Sequence, residues 1–330
     1  MAASVTTHEA RLTHDGAAPI TAGSFVVIER ELPRPADSEI VVDVRYASLD
    51  PSQRIRLRSE GAGFVPPAGI VGTVAESRSE EFAVGDTVIA PGTWATKVCL
   101  PATVAERYDA PAGVALHHAV GLLGLTGLTA YHGVTRVLRP SPGEKIVVTG
   151  AFGGVGQVAA QLIAASGADV LGVVGGPEKV DGLKRRGITA VDHRCAGWLA
   201  EMDRWAPDGL HAVFDNVWGE ASARLVERLQ PLGRVALCGQ MSGIGGAVIA
   251  PLPLDNWFRL VTRSLTIQGF RAVDFASENS AARRALADMI VSGTLDQEIH
   301  VASGWAAAGP AFADMLTGRV IGKLVVEVQA

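Results

Sequence analysis

From Glu144 to Lys179 the chain reads EKIVVTGAFGGVGQVAAQLIAASGADVLGVVGGPEK. Lys145 to Thr149 is a short β-branched run with the composition of a buried strand. Gly150, Gly153, Gly154 and Gly156 follow at once. Val155 to Ala165 is apolar and alanine-rich, as a helix packed on a sheet would be. Asp169 to Val174 is a second buried strand. Strand, glycine turn, helix and strand together predict a dinucleotide-binding βαβ unit. The glycines permit the tight turn and a close backbone approach to a pyrophosphate, and the helix N-terminus offers free N–H groups and a partial positive charge. A glycine-rich turn that binds nothing is the bland alternative, and the correct flanking strands and helix weigh against it.

The end of the second strand bears on which dinucleotide is bound. An NAD enzyme usually carries Asp or Glu there to hold the ribose 2′-hydroxyl. Here the strand runs into Gly175-Gly176-Pro177, then Glu178-Lys179. A missing acid and a nearby cation favour NADPH. Glu178 is the counter-argument unless it points away. Lys184, Arg185 and Arg186 fit a solvated basic helix face equally well.

A chain of 330 residues has room for about two domains. Its 48% hydrophobic content supplies ample core, and a net charge of −5 without a basic block argues against nucleic-acid binding. The first residues, MAASVTTHEARLTHDG, have no apolar core of a signal peptide, and no apolar run is long enough to span a membrane. Cys99, Cys195 and Cys238 form neither a disulfide framework nor a zinc pair. A soluble protein in a reducing cytoplasm is the expectation, with no membrane or nucleic-acid partner.

Residues 1 to about 120 read as mostly β. Ser24 to Arg30 and Ile40 to Tyr46 alternate apolar and polar residues, and Ile70 to Ala75 and Thr87 to Ala90 are further short strands. Their close spacing predicts a small barrel-like domain. His117 to Gly124 and Thr126 to Leu138 look helical. Beyond the opening unit, strands begin at Val191, His211, Val235 and Leu265. Trp198 to Arg204 and Glu220 to Leu229 read as the intervening helices, the second ended by Pro231 and Gly233. That alternation predicts a doubly wound parallel sheet, an α/β fold whose ligand lies beyond the carboxyl ends of the strands. Asn216, Gly239 and Phe270 should lie there. Ser280 to Val291 and Ala311 to Leu316 read as helices, and Gly322 to Val328 as a final strand returning to the first domain.

Several stretches together carry a resemblance: SLDPSQRIR (48–56), GLLGLTGLTAYHGV (121–134), VVTGAFGGVGQVAAQL (147–162), GGPEK (175–179), FDNVWGE (214–220), LCGQMSG (237–243), LTIQGF (265–270) and GKLVV (322–326). The chain resembles the zinc-independent medium-chain dehydrogenase/reductases, within them the leukotriene B4 dehydrogenase, prostaglandin reductase and alkenal double-bond reductase group. The resemblance implies a GroES-like domain over residues 1–120, completed by the tail from about 300 to 330, and a Rossmann NADPH-binding domain over 121–299. It implies NADPH-dependent reduction of the C=C bond of an α,β-unsaturated carbonyl. Ser48-Leu49-Asp50-Pro51 and Gly69-Ile70-Val71-Gly72 stand where zinc-dependent relatives carry metal ligands, and offer none. A quinone oxidoreductase, or a non-redox biosynthetic enzyme on the same fold, is the alternative. The group often dimerises through an edge strand of the Rossmann sheet, for which Leu265 to Phe270 is the candidate.

Carried over residue by residue, the resemblance puts Gly154, Val155, Gly156 and Gln157 at the pyrophosphate, Lys179 at the 2′-phosphate, and His193 roughly where the group has tyrosine. It puts Asn216 at the adenosine side or ribose, Cys238, Gly239, Ser242 and the residues to Ile244 along the nicotinamide, and Phe270, Arg271 and Ala272 near the carboxamide. Ser242 and Arg271 are the candidates for a polar contact to an enolate. Asp50 and Arg54, read as an ion pair fixing a loop, join Trp94, Trp218, Ile244 and Trp257 as candidate lining of a substrate pocket. Trp94 and Trp257 read equally well as core. His117-His118 looks like a metal pair without a partner cluster. Four positions depart from the group: Ser52-Gln53 for Tyr-Met, Ile244 for a tyrosine that helps bind the carbonyl or deliver a proton, Trp218 for a glycine, and Val320 for an asparagine. The cofactor half thus matches better than the substrate half.

Overall fold

The structure, a computed structural model, describes residues 5–244 and 258–328. The chain divides into two compact units, one of residues 1–124 with 299–330, the other of residues 125–298.

The first unit opens with an antiparallel hairpin of β1 (Val5–Leu12) and β2 (Phe25–Leu32). β3 (Glu39–Ser48) follows, then the short helix α1 (Gln53–Leu57), β4 (Pro67–Ser77), β5 (Thr87–Thr93), β6 (Lys97–Pro101) and the two-residue β7 (Glu106–Arg107). β3 pairs with both β4 and β6, and β5 bridges β4 and β7. The expected strands are present, each longer than its apolar stretch. Leu116–Val120 forms only a 3-10 turn, not the expected helix reaching Gly124.

The second unit begins with α2 (Leu125–His132), which widens into a π-turn over Gly133–Leu138. β8 (Lys145–Thr149), α3 (Gly154–Ala165), β9 (Asp169–Val174), α4 (Pro177–Arg185), β10 (Thr189–Asp192), α5 (Trp198–Trp205), β11 (Leu210–Asp215), α6 (Glu220–Val226) and β12 (Leu229–Leu237) then alternate. The short helices α7 (Met241–Ile244) and α8 (Phe258–Thr262) precede β13 (Thr266–Gly269), and α9 (Asn279–Val291) ends the unit. The six strands are all parallel in the order β10-β9-β8-β11-β12-β13. This is the doubly wound dinucleotide fold, its order reversing direction at β8. One difference concerns Pro231 and Gly233, which lie inside β12 and do not end a helix; Leu232 between them sits at φ +65°.

The chain then returns to the first unit as β14 (Ile299–Ser303), α10 (Trp305–Leu316) and β15 (Lys323–Glu327). β15 pairs antiparallel with β3 and parallel with β14, which extends the seven-stranded sheet. α10 starts six residues before the expected helix, at Trp305. Its Trp305 and Phe312 pack around the fully buried Trp94, with ring centroids 5.8 Å and 5.4 Å away, and Phe25 lies 4.7 Å from it. Trp94 is therefore the centre of this unit's core. Its assignment to a substrate pocket is corrected: an indole enclosed by three aromatic rings has no face left for a ligand.

Candidate functional site

The carboxyl ends of β8 to β13 carry one set of turns. Behind β8, Gly150 takes φ +57°, and Gly153 is the extended N-cap of α3. No side chain caps that helix, and its first helical bond runs from Gln157 N–H to the Gly153 carbonyl at 3.1 Å. The N–H groups of Gly154, Val155 and Gly156 therefore precede the first helical bond, the arrangement in which a helix start can meet an anion. A Cβ on Gly156 would stand 2.2 Å from the Gly150 carbonyl oxygen, so only glycine lets the helix seat against the turn. Phe152 anchors the turn from below. It is buried, and its ring fills the space beside Gly182 on α4.

Gln157 is corrected. Its side chain is fully buried and pairs with the backbone of Glu298, donating to the carbonyl at 3.1 Å and accepting from the N–H at 2.8 Å. The amide holds the end of the unit against α3 and, being fully buried there, is not exposed to a pyrophosphate at the helix start.

The turns after β9 and β10 are tied together. His193 N–H donates to the Val174 carbonyl at 2.9 Å, and the Asp192 carboxylate accepts from the N–H groups of Gly176 and Arg194. Burial works against the Asp192 charge, but these bonds more than offset it and hold the carboxyl below its usual range. Lys179 is half-buried, and burial, then the Arg194 charge, lowers its pKa. His193 is lowered for the same two reasons in the same order. No acid stands at the end of β9, and Glu178 is exposed. Arg194 escaped the sequence reading, which stopped at His193. The signal was a second cation one residue on, at the end of the next strand.

Behind β11, buried Asp215 organises the turn. Its Oδ1 accepts from the Thr149 hydroxyl at 2.5 Å and from the N–H groups of Val217 and Trp218 at 3.0 and 3.1 Å. Asn216 donates to the Thr149 carbonyl at 2.8 Å, so its amide is anchored on β8. Gly239 N–H reaches the Asp215 carbonyl at 3.2 Å, and Ser242 N–H the Val217 carbonyl at 3.0 Å. The Ser242 hydroxyl donates to the Trp218 carbonyl. Asn216, Trp218, Cys238, Gly239 and Ser242 thus form one knot at this edge, with Ile244 buried on α7.

Other candidates are placed differently. Phe270 packs its ring on Phe214, centroids 6.1 Å apart, and closes over Gly133. Arg271 is exposed and paired with Asp274 at 2.6 Å in a capping box, which raises its pKa. Its guanidinium is thus engaged at a helix start. The Asp50–Arg54 pair is also corrected. Asp50 accepts from Lys323 at 3.0 Å and from Ser48, whereas buried Arg54 donates to the carbonyls of Gly16, Ala17 and Ala18. Neither side chain needs the other, and Arg54 is a buried strut. Trp257 lies outside the described residues. The His117 and His118 rings lie tilted against each other with centroids 4.5 Å apart, and among the described residues no group of three or more His, Cys, Asp or Glu could hold a metal ion.

Residues 9–107 match the family model described as the N-terminal domain of oxidoreductase, and residues 154–290 the model described as zinc-binding dehydrogenase. Prostaglandin reductase 1 of Bos taurus is 30% identical over 93% of this chain and 94% of its own. The putative NADP-dependent oxidoreductase YfmJ of Bacillus subtilis is 31% identical over 90% of both. 2-Alkenal reductase (NADP(+)-dependent) of Nicotiana tabacum is 31% identical over 92% of this chain and 91% of its own. Among solved structures, CurA from Vibrio vulnificus in complex with NADPH superposes with a TM-score of 0.90 at 26% identity, covering 98% of this chain and 99% of that one. The chain belongs to the zinc-independent medium-chain dehydrogenase/reductases, in the group of NADP-dependent oxidoreductases that includes prostaglandin reductase and alkenal reductase.

Proposed function

We propose that this protein reduces the C=C bond of α,β-unsaturated carbonyl compounds with NADPH. The observation that carries the proposal is the carboxyl edge of the parallel sheet: an uncapped helix start behind a glycine turn, with two cations and no acid at the end of β9. The relatives named for reduction of prostaglandins and 2-alkenals point to the activated double bond.

NADPH, when bound, supplies the hydride that goes to the β-carbon. The chain's own groups bind and orient. The N–H groups of Gly154, Val155 and Gly156 take the pyrophosphate. Lys179 balances the charge at the adenosine end. The Asn216 amide, fixed on Thr149, shapes the wall beside the ribose. A proton must also reach the α-carbon. Ile244 has no proton to give, and the Ser242 Oγ proton is held by the Trp218 carbonyl. Solvent water is therefore the donor this reading assigns.

The test is NADPH consumption, followed by absorbance of the reduced nicotinamide, across parallel panels of enones and quinones. Turnover on enones with recovery of the saturated carbonyl compound supports the reading. Turnover on quinones alone would move the protein to quinone oxidoreductase chemistry. The Escherichia coli quinone oxidoreductase shares the fold, with a TM-score of 0.80 at 20% identity over 98% of this chain and all of that one.

The protein is further proposed to dimerise through β13, the edge strand of the parallel sheet, with Leu232, Phe258 and Val261 exposed on neighbouring segments. Sedimentation at micromolar concentration should find a dimer; a monomer would refute it.

A further inference from the structure

We propose that Arg194 is the residue that sets preference for the phosphorylated coenzyme, its guanidinium taking the 2′-phosphate together with Lys179. This rests on the NADPH reading above and adds a ligand that the motif around Lys179 does not contain.

The geometry places Arg194 over the Gly175-Gly176 turn. A Cβ on Gly175 would stand 2.9 Å from Arg194 Nε and 3.0 Å from His193 Nε2, and one on Gly176 would stand 3.7 Å from Arg194 Nη1. The guanidinium and the imidazole therefore lie against bare backbone at the end of β9. Any larger residue there, including the carboxylate of an NAD-binding site, would displace both. Gly176 also takes φ +105°, so the turn itself disfavours a side chain.

The position of Arg194 is built into the backbone. Asp192 accepts its N–H at 2.9 Å and the N–H of Gly176, which locks the turn carrying the cation to the turn it covers. Asp192 is thereby used on backbone donors. The guanidinium itself makes no ion pair among the described residues. The charged and titratable groups at this corner are Lys179, His193, Arg194, Asp192 and Glu178. Lys179 feels the Arg194 charge strongly enough to lower its pKa after burial has done so. Two cations that repel each other are stabilised together when a dianion binds between their reach. Arginine's planar fork matches phosphate oxygens in a way that a lysine point charge does not.

The test is equilibrium binding, read by fluorescence titration of NADPH and NADH in the absence of substrate, with 2′,5′-ADP and 5′-AMP as competing probes. Wild type should prefer NADPH and 2′,5′-ADP. Arg194→Gln should weaken both phosphorylated ligands by about 10- to 100-fold, leave NADH and 5′-AMP unchanged, and retain the wild-type melting temperature, since the residue is exposed. Arg194→Lys should fall between. A control at exposed Arg185 on α4 should change nothing. If Arg194→Gln keeps the wild-type NADPH-to-NADH ratio, the assignment is wrong while the NADPH reading stands. If wild type itself binds both coenzymes equally, the NADPH reading fails and takes the assignment with it.

Discussion

Lys323 Nζ lies 3.0 Å from Asp50 Oδ1 and donates its other protons to the carbonyls of Leu49 and Leu324, at 2.7 and 2.9 Å. The lysine is almost completely buried, whereas the Asp50 side chain is 23% exposed. Asp50→Asn removes the charge that justifies a buried ammonium. It should cost stability near the lower end of about 3–5 kcal/mol, because the amide oxygen still accepts one bond. Lys323→Met should cost less, since Asp50 keeps the Ser48 hydroxyl and can turn to water. Chemical denaturation midpoints at constant slope measure both. The reverse order would mean that Asp50, not Lys323, is the group dependent on the pair.

Trp218 occupies the left-handed region at φ +48°, held there by two N–H bonds to Asp215. A bulky residue in that conformation costs about 1–2 kcal/mol. Trp218→Gly relieves that strain while losing a half-buried indole, so the two effects should nearly cancel. Trp218→Ala loses the indole and keeps most of the strain. The expected order of melting temperature is therefore glycine above alanine. Alanine above glycine would show that the turn is not strained.

Phe152 in the glycine turn and Gly182 on α4 share one space: a Cβ at 182 would stand 2.3 Å from Phe152 Cζ. The ring also lies 5.2 Å under the Arg186 guanidinium. Gly182→Ala should cost about 1–3 kcal/mol by overpacking. It should also weaken NADPH binding, because Phe152 is joined directly to the loop that starts α3. Phe152→Leu in the same chain should recover part of both losses, which a double-mutant cycle reads as coupling.

What the sequence made legible follows the range of the forces involved. β8, α3 and β9 are bounded by local signals, a β-branched run, a glycine turn and a Gly-Gly stop, and they lie where those signals put them. β1 was invisible because VTTHEARL shows little alternation; it is a strand only because β2 pairs with it along its whole length. The start of β12 was hidden by Pro231 and Gly233, which read as a helix stop and instead sit in a strand with a shifted register opposite β11. Asp50 and Arg54 looked like partners because they are four residues apart. Their real partners are Lys323, 273 residues along, and three carbonyls near Gly16. Gln157 was assigned by its place in a motif, but its amide was claimed by Glu298. Local sequence located the turns of the site. Which side chains remain available within them depended on contacts between distant segments.

The three cysteines differ enough to be told apart chemically. Cys195 is exposed in the turn after β10. Burial, then the Asp215 charge, pushes the Cys238 thiol up to about 12, and burial with Glu39 pushes Cys99 up to about 11. The thiolate is the reactive form, so at pH 8 iodoacetamide should label Cys195 well before the other two. Both slow thiols should label on unfolding, as peptide mass spectrometry over a time course would show. The same shifts carry a stability sign. Each raised thiol keeps its proton in the folded chain at a pH where the unfolded chain has lost it. Folding stability should therefore fall as pH rises from the ordinary thiol value of 9.0 toward those raised values. Cys238→Ala should flatten part of that decline in alkaline denaturation. Labelling of Cys238 as fast as Cys195 would show that the thiol beside Asp215 is ionised, and both expectations would fail together.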